Sequence, residues 1–150
     1  MADKHTSVSK NTIMVVDDNS DLVEIVRITL EAKGFNVRCA YSGKELFTGL
    51  DEQKPDLILL DIMMPQMNGL EALTLLRGDP STASIPVILL TAKVLYEDVL
   101  GGYKMGADYY ITKPFDSAQL ISGIKFLLNG DQSYSEGSLD KVPRQNNWTR

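Results

Sequence analysis

Four short apolar runs punctuate the chain: Ile13 to Val16, Leu57 to Leu60, Val87 to Leu90 and Tyr109 to Ile111, with a weaker fifth from Phe35 to Ala40. Continuous apolar runs of this length, bounded by turn residues, fit strands buried on both faces, which is what a parallel sheet covered by helices requires. The segments between them have helical spacing. Leu22, Val23, Val26 and Leu30 form an apolar stripe, with Asp18 or Asn19 as N-cap and Gly34 as C-cap. Leu46, Phe47 and Leu50 make a shorter stripe after Ser42, and Leu70, Leu73 and Leu76 make a third after Asn68. A fourth helix is expected over Val94 to Met105 and a fifth over Ser117 to Leu128, the last capped by Asp116. This regular alternation of five βα units predicts an α/β doubly wound sheet with right-handed crossovers.

The remaining segments differ in composition. Residues 1–11 are polar with short side chains, and residues 129–150 are rich in Ser, Gly, Asp, Asn and Gln, so both read as mobile tails around a domain spanning 12–128. With 43% hydrophobic and 23% charged residues in 150, one domain with its own core is expected. The single cysteine, Cys39, excludes an internal disulfide framework; its expected role is a small buried hydrophobe in the second strand. No apolar run approaches the length that spans a bilayer and no signal-peptide core precedes the domain, so a cytoplasmic protein without membrane contact is expected. The net charge of -5 argues against a nucleic-acid partner, which normally meets a concentrated basic face.

The chemistry collects at the ends of the runs. Asp17 and Asp18, Asp61, Thr91, and Lys113 after Thr112 each follow an apolar run at once or one residue later. In open α/β sheets ligands bind beyond the carboxyl ends of the strands, so these residues are expected to converge. Three carboxylates in one cleft repel one another and call for a cation. Mg²⁺ suits them, because it takes oxygen ligands, accepts one or two carboxylates and bridges to phosphoryl oxygens. A carboxylate can itself act as nucleophile in phosphoryl transfer, forming an acyl phosphate.

The residues resemble the receiver domain of two-component response regulators. The matching motifs are Val15-Val16-Asp17-Asp18, Leu60-Asp61-Ile62-Met63-Met64-Pro65 followed by Gly69, Leu90-Thr91-Ala92, and Gly106-Ala107-Asp108 leading to Lys113-Pro114-Phe115. Together, in order and each at a strand end, they form a specific signal over roughly residues 11–128. The resemblance implies a flavodoxin-like strand order 2-1-3-4-5. It implies Asp61 as phosphoacceptor, Asp18 as a direct Mg²⁺ ligand, Asp17 acting through a coordinated water and Met63 supplying a backbone carbonyl. It also implies that Thr91 and Lys113 contact the phosphoryl group, that Tyr110 is the switch aromatic and that the Lys113–Pro114 bond is cis.

On this reading the protein is a stoichiometric phosphoacceptor rather than an enzyme. Its partners are a sensor histidine kinase or histidine phosphotransfer protein and a downstream protein, with no nucleic acid and no membrane. Only 22 residues follow Leu128 in the chain of 150, too few for a helix-turn-helix effector, so a stand-alone regulator or a fragment of a longer one is expected. It would be a monomer or a weak dimer through the fourth helix, fifth strand and fifth helix. That fourth helix contains Gly101 and Gly102, each costing a helix interior about 1 kcal/mol, which makes it the expected responding element. The resemblance also implies that the residues two after Asp61 and two after Thr91 set the lifetime of the acyl phosphate; here these are Met63 and Lys93, which offer no ready base, so slow self-dephosphorylation is expected.

Two other functions compete with this one. A Mg²⁺-dependent phosphohydrolase of the haloacid dehalogenase type needs a second Asp two residues after the nucleophile, where this chain has Met63. A phosphorylation-independent interaction module is disfavoured by the intact acidic cluster. Neither G-x-x-x-x-G-K-[ST] nor G-x-G-x-x-G occurs. His5 and Trp148 fall in the expected tails, and the Met63–Met64 pair reads as loop and core packing.

Overall fold

A computed structural model describes residues 10–92 and 106–130. The expected tails with His5 and Trp148, Lys93, and the fourth helix with its glycine pair lie outside the described residues. Within them the order is β1 (Thr12–Val16), α1 (Ser20–Ala32), β2 (Asn36–Ala40), α2 (Gly43–Glu52), β3 (Leu57–Asp61), α3 (Gly69–Gly78), β4 (Val87–Thr91), β5 (Tyr109–Thr112) and α4 (Ser117–Asn129). All strand pairs are parallel, in the order β2-β1-β3-β4-β5. The doubly wound sheet and its flavodoxin-like order are therefore as the alternation and the resemblance imply.

Alternation along the strands divides the core in two. Met14, Val16, Ile58, Leu60, Val87 and Leu89 face α2 and α3, where they meet Leu46, Leu50, Leu73 and Leu76. Their neighbours Ile13, Val15, Leu57, Leu59, Ile88 and Leu90 face α1 and α4, against Val23, Val26, Leu120 and Ile124. Every residue of β1, β3 and β4 is buried, which is why these strands read as continuous apolar runs. Each such Leu or Ile contributes about 1.5–3 kcal/mol by leaving water.

β2 is an edge strand, and that explains its weaker pattern. Only Ala40 is fully buried in it, Arg38 reaches out to the carbonyls of Gly49 and Gln53, and Cys39, expected as a small buried hydrophobe, is partly buried against the α1–α4 core. Burial raises the Cys39 thiol above its ordinary value, which disfavours the thiolate.

The helix starts are set by side-chain caps. Asn19, not Asp18, caps α1 by accepting from Leu22 N–H at 3.1 Å, while Ser42 caps α2. Asn68 and Glu71 form a reciprocal box on α3, as do Asp116 and Gln119 on α4. The C-cap of α1 is Lys33, and Gly34 follows it at φ +95°, a conformation that favours glycine.

Candidate functional site

The strand order reverses direction between β1 and β3, and the crevice above their carboxyl ends is where the polar residues gather. β1 ends into Asp17, which is 1% exposed, and β3 ends on Asp61, which is 2% exposed. Asp18 is exposed beside them. One carboxylate oxygen from each of the three lies within 4.8 Å of the others, a spacing that suits a shared divalent cation.

Lys113 follows β5, and its Nζ donates to Asp17 Oδ2 at 2.7 Å and to Asp61 Oδ1 at 3.1 Å. The single ammonium does not balance the cluster. Burial and the Asp17 charge push the Asp61 carboxyl up from 3.8 to about 6, against the Lys113 contact and an N–H bond from Met63 that pull it down. For Lys113, burial favours the neutral amine, but the hydrogen bonds and charges of Asp17 and Asp61 prevail and hold the ammonium above its ordinary range. Asn19 N–H also supports Asp17, donating to Oδ1 at 3.0 Å. These residues offer a cation oxygen donors and a deficit of positive charge, and both fit Mg²⁺.

The backbone fixes these positions closely. Ile62 N–H donates to Leu90 carbonyl at 3.0 Å and Gly69 N–H to Ile62 carbonyl at 2.8 Å, closing the loop from β3 to α3. A Cβ on Gly69 would stand 2.3 Å from the Asp61 carbonyl oxygen, so only glycine lets α3 start this close to Asp61. The Lys113–Pro114 bond is cis, and Lys113 N–H donates to Thr91 carbonyl at 2.6 Å. Thr91, 4% exposed, ends β4.

Tyr110 lies in β5 opposite Leu89, half-buried against the α2–α3 core. Because Thr91 is two residues beyond Leu89, Thr91 and Tyr110 share a face of the sheet. The structure thus brings Asp17, Asp18, Asp61 and Lys113 together directly, with Met63 N–H in contact, and places Thr91 and Tyr110 on the flanking strands. Met63 and Met64 part company: Met64 packs in the core at 7% exposure, whereas Met63 is 66% exposed and contributes nothing to it.

One polar cluster escaped the sequence. Arg77, near the end of α3, sends Nε to Gly106 carbonyl at 2.9 Å, Nη1 to the carbonyls of Ala83 and Ile85 at 3.1 and 2.8 Å, and Nη2 to Asp108 Oδ2 at 3.1 Å. Asp108 also accepts from Val87 N–H at 2.9 Å. The cluster ties α3 to the amino ends of β4 and β5. No local signal marks it, since most of the partners are backbone carbonyls.

A parallel five-stranded sheet with a buried Asp at the end of β3, an acidic pair after β1 and a lysine after β5 defines a class of signalling domain. The chain belongs to the response regulator receiver domain family, whose pattern matches residues 13–125. It is 39% identical over 116 residues to the DNA-binding response regulator MtrA of Mycobacterium tuberculosis, covering 77% of this chain and 50% of that protein. It is 38% identical over 117 residues to the phosphate regulon transcriptional regulatory protein PhoB of Pseudomonas aeruginosa, covering 78% of this chain and 51% of that one. Among solved structures, the chemotaxis protein CheY4 of Vibrio cholerae superposes with a TM-score of 0.77 at 27% identity, over 80% of this chain and 100% of that one.

The chain spans about half the length of MtrA and PhoB. That corrects the expected set of partners, which left out nucleic acid on the strength of the net charge. The matched half is the receiver half of proteins such as MtrA, named for DNA binding, and the charge of a receiver says nothing of the DNA contacts made by the protein that carries it. Among the described residues no helix is long and apolar enough to cross a membrane.

Proposed function

We propose that this receiver, a domain over residues 12–128, is a phosphorylation switch in which Asp61 accepts a phosphoryl group from a phosphohistidine donor with Mg²⁺. The observation that carries the reading is the buried Asp61 carboxylate, held by Lys113 within reach of Asp17 and Asp18. An Asp61 oxygen attacks phosphorus, the P–N bond of the donor breaks, the histidine leaves as imidazole, and an acyl phosphate remains. Asp17, Asp18, Asp61 and the Met63 carbonyl would hold Mg²⁺, which supplies charge neutralisation at the phosphoryl oxygens. Lys113 and the Thr91 hydroxyl position and neutralise the transferred group, and Tyr110 follows Thr91 as the switch residue. The protein acts as a stoichiometric acceptor in the cytoplasm. Met63 and Lys93 offer no base to an attacking water, so the acyl phosphate decays slowly. The relatives named as DNA-binding and transcriptional regulators support a switch whose output, like theirs, ends in control of transcription.

Incubation with acetyl phosphate and Mg²⁺ tests the reading. One phosphoryl mass, labile to hydroxylamine and absent from Asp61→Asn, is expected. Persistence of the adduct in Asp61→Asn sinks the assignment.

A further inference from the structure

Helix α1 carries apolar residues on two sides. Val23, Val26 and Leu30 face the sheet, as an amphipathic helix requires, yet Ile25 and Ile28 stand 61% and 55% exposed. Asp21, Ile25, Ile28 and Ala32 are all exposed and fall at i, i+4, i+7 and i+11, so one solvent-facing stripe has two isoleucines at its centre. Glu24 and Glu31 stand beside it and share Arg27 between them. With Asp21, α1 holds three acids against one base, a net of -2.

The chain beyond the described residues supplies a complement. Residues 141–150 hold Lys141, Arg144 and Arg150 without an acid, together with Val142, Pro143 and Trp148, the one tryptophan of the protein. Topology delivers them to this face. α1 and α4 cover the same side of the sheet, and each starts at the carboxyl end of a strand and runs back toward the amino end. Gly130 therefore leaves α4 at the edge where α1 finishes, one helix spacing away, about 10 Å. Ile28 lies about 6 Å back along α1 from Ala32. Residues 131–140 span about 17 Å as a flexible coil and about 35 Å when extended, so the segment that follows reaches both isoleucines with slack. The short tether raises its local concentration to the millimolar range.

We propose that residues 141–150 dock in cis across the Ile25–Ile28 stripe of α1, with Trp148 covering the isoleucines and the three basic residues facing Asp21, Glu24 and Glu31. The indole supplies most of the hold, since exposed ion pairs are individually weak and fade with salt. Charge sets the direction and brings the segment to this helix. The strap closes a face whose leading end adjoins the acidic centre through Asn19. A protein that approaches Asp61 over α1 has to displace it.

Trp148 is a built-in reporter. In the whole chain its fluorescence, excited beyond tyrosine absorption, should be blue-shifted from that of free tryptophan and severalfold less quenched by acrylamide. Ile25→Ser combined with Ile28→Ser should return both readings to the free values. So should Lys141→Glu combined with Arg144→Glu and Arg150→Glu, a set that lies outside the domain's core and decides the matter even if the serines disturb α1. Circular dichroism should show unchanged helix in the second set. A parent chain whose Trp148 emits and quenches as free tryptophan overturns the proposal, and so does shielding that survives either set. Shielding that rises with protein concentration also overturns it, and assigns the stripe to a second copy of the chain instead.

Discussion

Two ion-paired clusters stand at opposite ends of the same sheet, and they are built on opposite principles. At the amino ends of β4 and β5, Arg77 meets one carboxylate and three carbonyls, and Asp108 takes a further backbone N–H. At the carboxyl ends of β1 and β3, one ammonium serves two buried carboxylates with a third in range. The first cluster is saturated, and it holds α3 to the strands. The second is left short of positive charge, and its strain surfaces as the raised Asp61 carboxyl. An ion pair alone therefore does not mark a site; an ion pair that fails to close its own charge balance does.

The contrast breaks most readily at Arg77. Arg77→Ala strands Asp108 and three carbonyls, and should cost about 3–5 kcal/mol in urea unfolding, with or without a divalent cation. A loss under about 1 kcal/mol would show that the amino-end cluster is decorative, like most surface pairs.

Asp61→Asn should move stability the other way. The folded carboxyl titrates at about 6 against 3.8 when unfolded, so the native state binds the proton more tightly. Stability from this group is whole below the unfolded value and is lost as pH climbs through about 6. Two units amount to about 3 kcal/mol by neutral pH. In metal-free buffer, Asp61→Asn should recover up to that amount and flatten the unfolding profile between about pH 4 and 7. A profile as steep in the variant as in the parent would assign the strain to another group.

Gly69→Ala sharpens the comparison by disturbing the backbone under Asp61 without touching a charge. The clash with the Asp61 carbonyl should cost about 1–3 kcal/mol in thermal unfolding. Full stability would mean that α3 can back away from the site.

Smallest of all is Asp18→Ala. With Asn19 as the cap, metal-free stability should stay within about 0.5 kcal/mol. The parent should gain about 1 kcal/mol at Mg²⁺ five times its Kd, and the variant should lose that gain. Equal Mg²⁺ stabilisation of both would remove Asp18 from the cation site.

How much of this was legible in the sequence follows from what each feature needs. β1, β3 and β4 announced themselves because burial on both faces leaves no polar position to break the run. Asp17 and Asp61 were legible because they stop the first two of those runs, and Lys113 because it follows β5, all at one end of a parallel sheet. β2 was weaker because an edge strand keeps one side wet, and Cys39 is only partly buried for the same reason. The choice between Asp18 and Asn19 as cap turned on a one-residue phase that spacing does not carry. Arg77 was missed because its carbonyl partners lack any side-chain signature, and its carboxylate partner lies 31 residues away.

The choice of caps has one more consequence. α1 and α3 begin on amides, Asn19 and Asn68, while α4 begins on a carboxylate, Asp116. Of these starts, that of α1 touches the acidic centre, through Asn19 N–H on Asp17 Oδ1, while Gly69 at the start of α3 lies against the Asp61 main-chain carbonyl. A neutral cap satisfies an end N–H without spending the partial positive charge, about half a unit, that aligned peptide dipoles leave at a helix start. The start of α1 thus acts as a fixed counter-charge built from main chain, which no change of pH can discharge.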